Sequence, residues 1–228
     1  MALKAFEDRI LTDLLPTFCD DPTRAWGSDG FRRDWERVSE ADAEDFLRGI
    51  DNGLVKHVKR GQYRAPRSCA SEQFFWEGPK SVEPRPITLW IEPIITVAVL
   101  ARLHFDLGWP KDLLGTQSSD WAFDVTAFLP PHFTNEHIAC EVKKTTAELD
   151  QLLTLMESFG ATPDAEQPAK AKELNAFRKV RALRNRKPPV FWAVGPNRSS
   201  YVFDVLYGSN EQVILSPASP NSLVYPDR

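Results

Sequence analysis

Trp121 to Lys143, WAFDVTAFLPPHFTNEHIACEVK, is the stretch on which the reading of the fold turns. It reads as two β-strands joined by a short polar loop. In the first, Trp121, Phe123, Val125 and Ala127 alternate with Ala122, Asp124 and Thr126. In the second, Ile138, Cys140 and Val142 alternate with Ala139, Glu141 and Lys143. Side chains change face at every residue of a strand, so Glu141 and Lys143 share one face. If the strands pair, Asp124 points to the same place. Two carboxylates and an amine converging on one sheet surface are costly unless something binds between them, and a divalent cation has the right charge.

Working outward, Lys111–Asp120 is a polar segment, and before it Thr88–Leu107 forms the strongest helical pattern, closed by Gly108-Trp109-Pro110. After Lys143, Thr145 and Glu148 make a capping box for a helix with an apolar stripe of Leu149, Leu152, Leu153, Met156 and Phe159, closed at Gly160. Residues 161–169, ATPDAEQPA, are the best linker candidate, read as a loop within one domain rather than a boundary. A further helix is expected over Ala171–Arg186, stopped by Pro188-Pro189. VFWAV (190–194) and YVFDVLY (201–207) read as a hairpin around Gly195–Arg198, with an edge strand at Gln212–Leu215 and an irregular tail. Nearer the start, residues 3–15 carry a helical stripe stopped by Pro16, and Ser39–Ile50 reads as a capped helix. Residues 62–77 read as short strands or an irregular arm. The order predicts an α/β fold with a mixed central sheet flanked by helices. Residues 81–228 form its core, and 1–80 a helical N-terminal extension or arm packed on it.

The composition bounds the function. The chain has 228 residues, 42% hydrophobic and 26% charged, enough for one sizeable core. A formal net charge of −4 gives no general attraction to nucleic acid, so any such binding needs a local patch. Cys19, Cys69 and Cys140 are odd in number and show no zinc spacing, which suits a reduced, cytoplasmic chain. MALKAFEDRILTDLL is interrupted by charge every few residues, unlike a signal peptide. The apolar run within Ile87–Leu107 is broken by Glu92, Pro93, Arg102 and His104, so no membrane span is expected.

Glu141-Val142-Lys143 is the only acidic-x-Lys tripeptide in the chain. A strand Asp, then Glu-x-Lys ending the next strand, then a capped helix, resembles the PD-(D/E)xK nuclease superfamily, the restriction-endonuclease-like fold. The likeness covers about residues 85 to 160, with the 190–207 strands as plausible remaining sheet. Phe123 stands where the family's namesake motif has Pro. Matched residue by residue, the resemblance implies Glu92 as the helix acid, with Glu83 as its competitor. It implies Asp124 as the strand Asp, Glu141 and Lys143 as the Glu-x-Lys, and Gln151 as the polar residue of the next helix. It also implies Mg²⁺, with Mn²⁺ as substitute, held by Asp124, Glu141, Glu92 and the carbonyl of Val142. Lys143 would orient the attacking water and stabilise transition-state charge. Gln151 would contact a phosphate or the water.

The expected activity is therefore metal-dependent hydrolysis of phosphodiesters, in DNA before RNA, in defence or repair. Many members of the superfamily dimerise. The alternative is a non-catalytic interaction or regulatory subunit, bound to a partner protein, that keeps the fold. A basic run supports the nucleic-acid reading: Arg178, Lys179, Arg181, Arg184, Arg186 and Lys187 surround a narrow apolar side of Leu174, Phe177, Val180 and Leu183. The bland account of that run is a solvated helix face. His132 and His137 flank the key loop, while His57 and His104 sit in or at the ends of helices. None has metal-motif spacing.

Overall fold

The structure, a computed structural model, describes residues 1–21, 27–131 and 136–226. Its centre is a six-stranded sheet of β6 (Leu114–Thr116), β7 (Val125–Phe128), β8 (Glu136–Val142), β9 (Val190–Val194), β10 (Ser200–Tyr207) and β11 (Val213–Pro217). The strands lie in the spatial order β11-β10-β9-β8-β7-β6. Among the described residues of this sheet, only β8 and β9 pair in parallel. A parallel pair needs a long crossover, and here it is made by helices α5 (Thr146–Ala161) and α6 (Ala171–Arg186). The sheet is therefore mixed, as the alternation of elements predicts. Among the described residues no helix is long and apolar enough to cross a membrane.

The two faces of the sheet are covered by different parts of the chain. Val125, Ile138, Cys140, Val142, Trp192 and Val194 pack into one cluster with α1 (Ala2–Arg9), α2 (Leu15–Cys19), α3 (Glu40–Asp51) and α4 (Ile91–Ala101). Ala139, Phe191, Ala193, Phe203 and Val205 pack under Leu149, Leu152 and Met156 of α5 and Ala176, Val180 and Leu183 of α6. Short strands β1 (Lys56–Lys59), β2 (Gln62–Arg64) and β3 (Glu72–Gln73) make a separate small sheet, while β4 (Phe75–Glu77) pairs with β5 (Ile87–Leu89).

Local chemistry explains most of these elements. Ser39 accepts the Asp42 backbone N–H at 3.0 Å and starts α3, and Thr145 accepts that of Glu148 at 3.2 Å and starts α5. Four expectations change. The helix expected from Thr88 begins only at Ile91, because residues 87–89 pair with β4; it ends in a π-helical turn, Arg102–Asp106. Pro16 does not end the first helix. A π-helical turn, Ile10–Leu14, leads without a break into α2, and this wider turn accommodates Pro16 inside a continuing helix. The first strand starts at Val125 rather than Trp121, whose φ of 62° turns the chain. The tail is less irregular than expected: Leu223 is buried, and its carbonyl accepts the Trp109 indole N–H at 2.7 Å.

Candidate active site

The site is built at the carboxyl end of β8. Asp124 immediately precedes β7, and its backbone is held on both sides: its N–H donates to the Cys140 carbonyl at 3.0 Å, and its own carbonyl accepts from Gln117 at 2.9 Å. One carboxylate oxygen of Asp124 accepts the Val142 N–H at 2.8 Å. The Lys143 N–H donates to the Val194 carbonyl at 2.9 Å, prolonging the β8–β9 ladder past its last named residue. That ladder keeps Glu141 and Lys143 on one face, the face covered by α5 and α6.

Glu141 is 1% exposed and carries two ammonium groups. The Nζ of Lys143 donates to its Oε1 at 2.6 Å, and the Nζ of Lys179 donates to its Oε2 at 2.5 Å. Lys143 also donates to the Val142 carbonyl at 3.0 Å and lies 3.8 Å from the Glu92 carboxylate. Glu92 thus reaches the site from the first turn of α4, whereas Glu83 is exposed in the loop before it.

The charges follow from this geometry. Burial pushes the Asp124 carboxyl well above its usual value, and the neighbouring Glu141 pushes the same way against Lys179 and Lys143. Burial also pushes Glu141 upward, but Lys179 and Lys143 outweigh it and hold that carboxyl below the ordinary range. Lys143 is lowered by burial and raised more strongly by Glu141, Asp124 and Glu92, so it is firmly cationic at neutral pH. A group so firmly protonated acts as a fixed positive charge, not as a base.

A groove of about 220 Å³ opens beside Lys143, lined among others by Glu92, Glu148, Gln151, Lys172 and Asn175. Gln151 is exposed, and its side-chain oxygen accepts a 2.8 Å bond from Lys172. The predicted Glu92, Lys143 and Gln151 therefore share one groove, but Gln151 makes no bond to the carboxylates.

The basic helix needs the largest correction. Lys179 does not face outward: it is 3% exposed and donates to the Ala122 carbonyl at 2.6 Å as well as to Glu141. Ala176, Val180 and Leu183 form the buried stripe, and position 179 falls within it, so the lysine is carried under the helix to the one buried carboxylate in reach. That phase was the available signal. Arg186 turns inward to Glu136 and Asp120, and Arg184 donates to the carbonyls of Phe159 and Glu211. Arg178, Arg181 and Lys187 remain exposed. Phe123, standing at the namesake Pro position, lies beneath Lys179 and Arg186, whose cationic groups are 5.8 Å and 5.3 Å from its ring centroid.

Sequence reasoning also missed Glu72 on β3. It is buried and accepts from the Gln117 side chain at 3.1 Å; burial pushes its carboxyl up, and nearby Glu92 adds to the shift. Nothing in its short strand marks it in advance. Of the histidines, His137 packs on Trp109 at the opposite end of β8, His104 bonds the Trp109 carbonyl, and His57 accepts from Gly61. His132 lies outside the described residues.

Among the described residues no group of three or more His, Cys, Asp or Glu side chains is gathered as a ready ligand set. The donors nevertheless suit a hard cation. Glu141 Oε1, the Val142 carbonyl and the Glu92 carboxylate already converge on one, the ammonium of Lys143. No protein-family profile, no curated protein and no solved structure matches the chain.

Proposed function

We infer that the chain is a metal-dependent phosphodiester hydrolase of restriction-endonuclease-like fold, acting on DNA in the reduced cytoplasm. One observation carries this reading: a cationic lysine held by Glu141, the Val142 carbonyl and Glu92 at the end of a central strand, beside half-buried Asp124 and an open groove. Asp124, Glu141, Glu92 and the Val142 carbonyl would hold Mg²⁺. Once bound, such a cation lowers the pKa of water and offsets phosphoryl charge. Lys179 keeps Oε2 of Glu141 in place, and Lys143 holds Oε1. Lys143 supplies a fixed positive charge for a phosphoryl oxygen. Lys172 and Gln151 line the route by which a phosphate backbone reaches it, and the exposed Arg178, Arg181 and Lys187 add charge on α6.

A second reading has its own support. Both oxygens of Glu141 already hold ammonium groups, so the charge is compensated without a metal, as suits an interaction subunit that keeps the fold. The separating experiment is cleavage of supercoiled plasmid and single-stranded DNA with Mg²⁺ or Mn²⁺, run beside calorimetric titration of Mn²⁺. The enzyme reading expects cutting, its loss by at least about a hundredfold in Lys143→Ala, and Mn²⁺ binding that disappears in Asp124→Asn. No cutting together with no Mn²⁺ binding establishes the interaction protein instead.

A further inference from the structure

The sheet face turned away from α5 and α6 carries a row of register-paired residues, Cys140, Trp192 and Val202, on β8, β9 and β10. Arg102, from the π-helical turn ending α4, lies over this row, its guanidinium carbon 4.7 Å from the centroid of the Trp192 ring. Among the described residues it has that aromatic contact but neither an ion pair nor a hydrogen bond. The acids near it are engaged elsewhere. Asp45 is fully buried and accepts two 2.7 Å bonds from Arg198, and Asp106 accepts from Arg48 at 3.1 and 3.2 Å. The half-buried guanidinium therefore has donors to spare where it lines the neighbouring cavity. Burial pushes Arg102 below its usual value, with Arg198 adding to the shift and Asp45, Cys140 and Asp106 opposing it.

Arg102 lines a cavity of about 420 Å³, within the size range of small-molecule sites. Leu107, Val202, Pro217 and Leu223 make its apolar walls, Ser200 adds a hydroxyl, and Asp106, paired with Arg48, adds a carboxylate. The walls are tied together: the Trp109 indole donates to the Leu223 carbonyl, the Tyr225 N–H to the Leu107 carbonyl at 2.8 Å, and the Ala218 N–H to the Val202 carbonyl at 2.9 Å. The cavity is thus part of the packed fold.

We propose that this cavity binds a small organic anion, its carboxylate or phosphate on the Arg102 guanidinium and its apolar body against Leu107, Val202 and Leu223. The planar fork of donors on arginine suits either head group. The site lies on the opposite face of the sheet from Glu141 and stands whether or not the chain cuts DNA.

The test uses two dyes with the same rings, 8-anilinonaphthalene-1-sulfonate, which is anionic, and N-phenyl-1-naphthylamine, which is neutral. Fluorescence titration of the full chain should give saturable binding of the anionic dye. Arg102→Met should weaken it by about tenfold or more, the scale of a charge-assisted pair, while the neutral dye changes by less than about twofold. Ala218→Phe, which narrows the cavity, should weaken both dyes and keeps the test alive if the Arg102 variant fails to fold. Displacement by benzoate or by phenyl phosphate then identifies the preferred head group. Absence of saturable anionic-dye binding, an unchanged affinity in a folded Arg102→Met, equal loss of both dyes in that variant, or unchanged binding in a folded Ala218→Phe would each overturn the proposal.

Discussion

At Asp124 the fold holds a carboxyl where its charged form is disfavoured, by burial first and by Glu141 second. An acid whose folded-state pKa lies above its unfolded value of roughly 4 is more protonated in the native state between the two values. Stability therefore falls as pH rises through that window and levels off above the raised value. Asp124→Asn keeps an acceptor for the Val142 N–H and removes the charge. At pH 7.5 without metal the variant should melt a few degrees higher than wild type, the scale of about 1 kcal/mol in a chain of this size. The gain should vanish near pH 4. Millimolar Mg²⁺ should raise the melting temperature of wild type and leave the variant unchanged. Thermal unfolding followed by circular dichroism at the two pH values, with and without Mg²⁺, measures all three effects. A variant less stable than wild type at pH 7.5 would show that the carboxylate already has compensation enough.

At the scale of elements, the joint between α6 and β8 is electrostatic where most helix–sheet joints are apolar. Ala176, Val180 and Leu183 supply ordinary packing, but between them Lys179 reaches Glu141 and the Ala122 carbonyl. Removing one partner of a buried pair leaves the other charge stranded. Lys179→Met should therefore cost about 3 kcal/mol, read as a shift in the urea midpoint. Arg178→Met, on the exposed side of the same helix, should stay within about 0.5 kcal/mol of wild type. Equal effects from the two substitutions would mean that the ion pair adds nothing to the joint. The crossover β8–α5–α6–β9 is thus fixed by the same lysine that holds Glu141, so helix placement and site geometry are coupled through one side chain.

At the scale of the whole molecule, the N-terminal helices are continuous with the sheet's core. Phe6, Ile10, Phe18 and Phe46 belong to the same buried cluster as Val125, Ile138 and Trp192. The β4–β5 pairing also crosses residue 80, the expected boundary between extension and core. A chain starting at residue 81 would expose the apolar side of α4, whose residues from Ile94 to Ala101 are all buried. We expect it to lack a cooperative urea transition and to elute as aggregates in gel filtration, since a surface of that size does not stay in water. A monomer with a sharp transition would instead establish that residues 81–228 fold alone.

The sequence by itself determined the elements whose signals are local. α6 and β9 lie where helical spacing and a β-rich run place them, and the Ser39 and Thr145 caps work within one turn. The shared face of Glu141 and Lys143 follows from the two-residue period of a strand. Strands of three residues, such as β5 and β6, were not legible, because so short a run has no period to read. Only the tertiary structure decided which charges meet. Lys179 and Glu141 are 38 residues apart, and Glu72 and Glu92 approach through the small sheet and α4. Local propensity acts over a few residues, whereas the partner of a buried charge is set by which elements the whole core brings together.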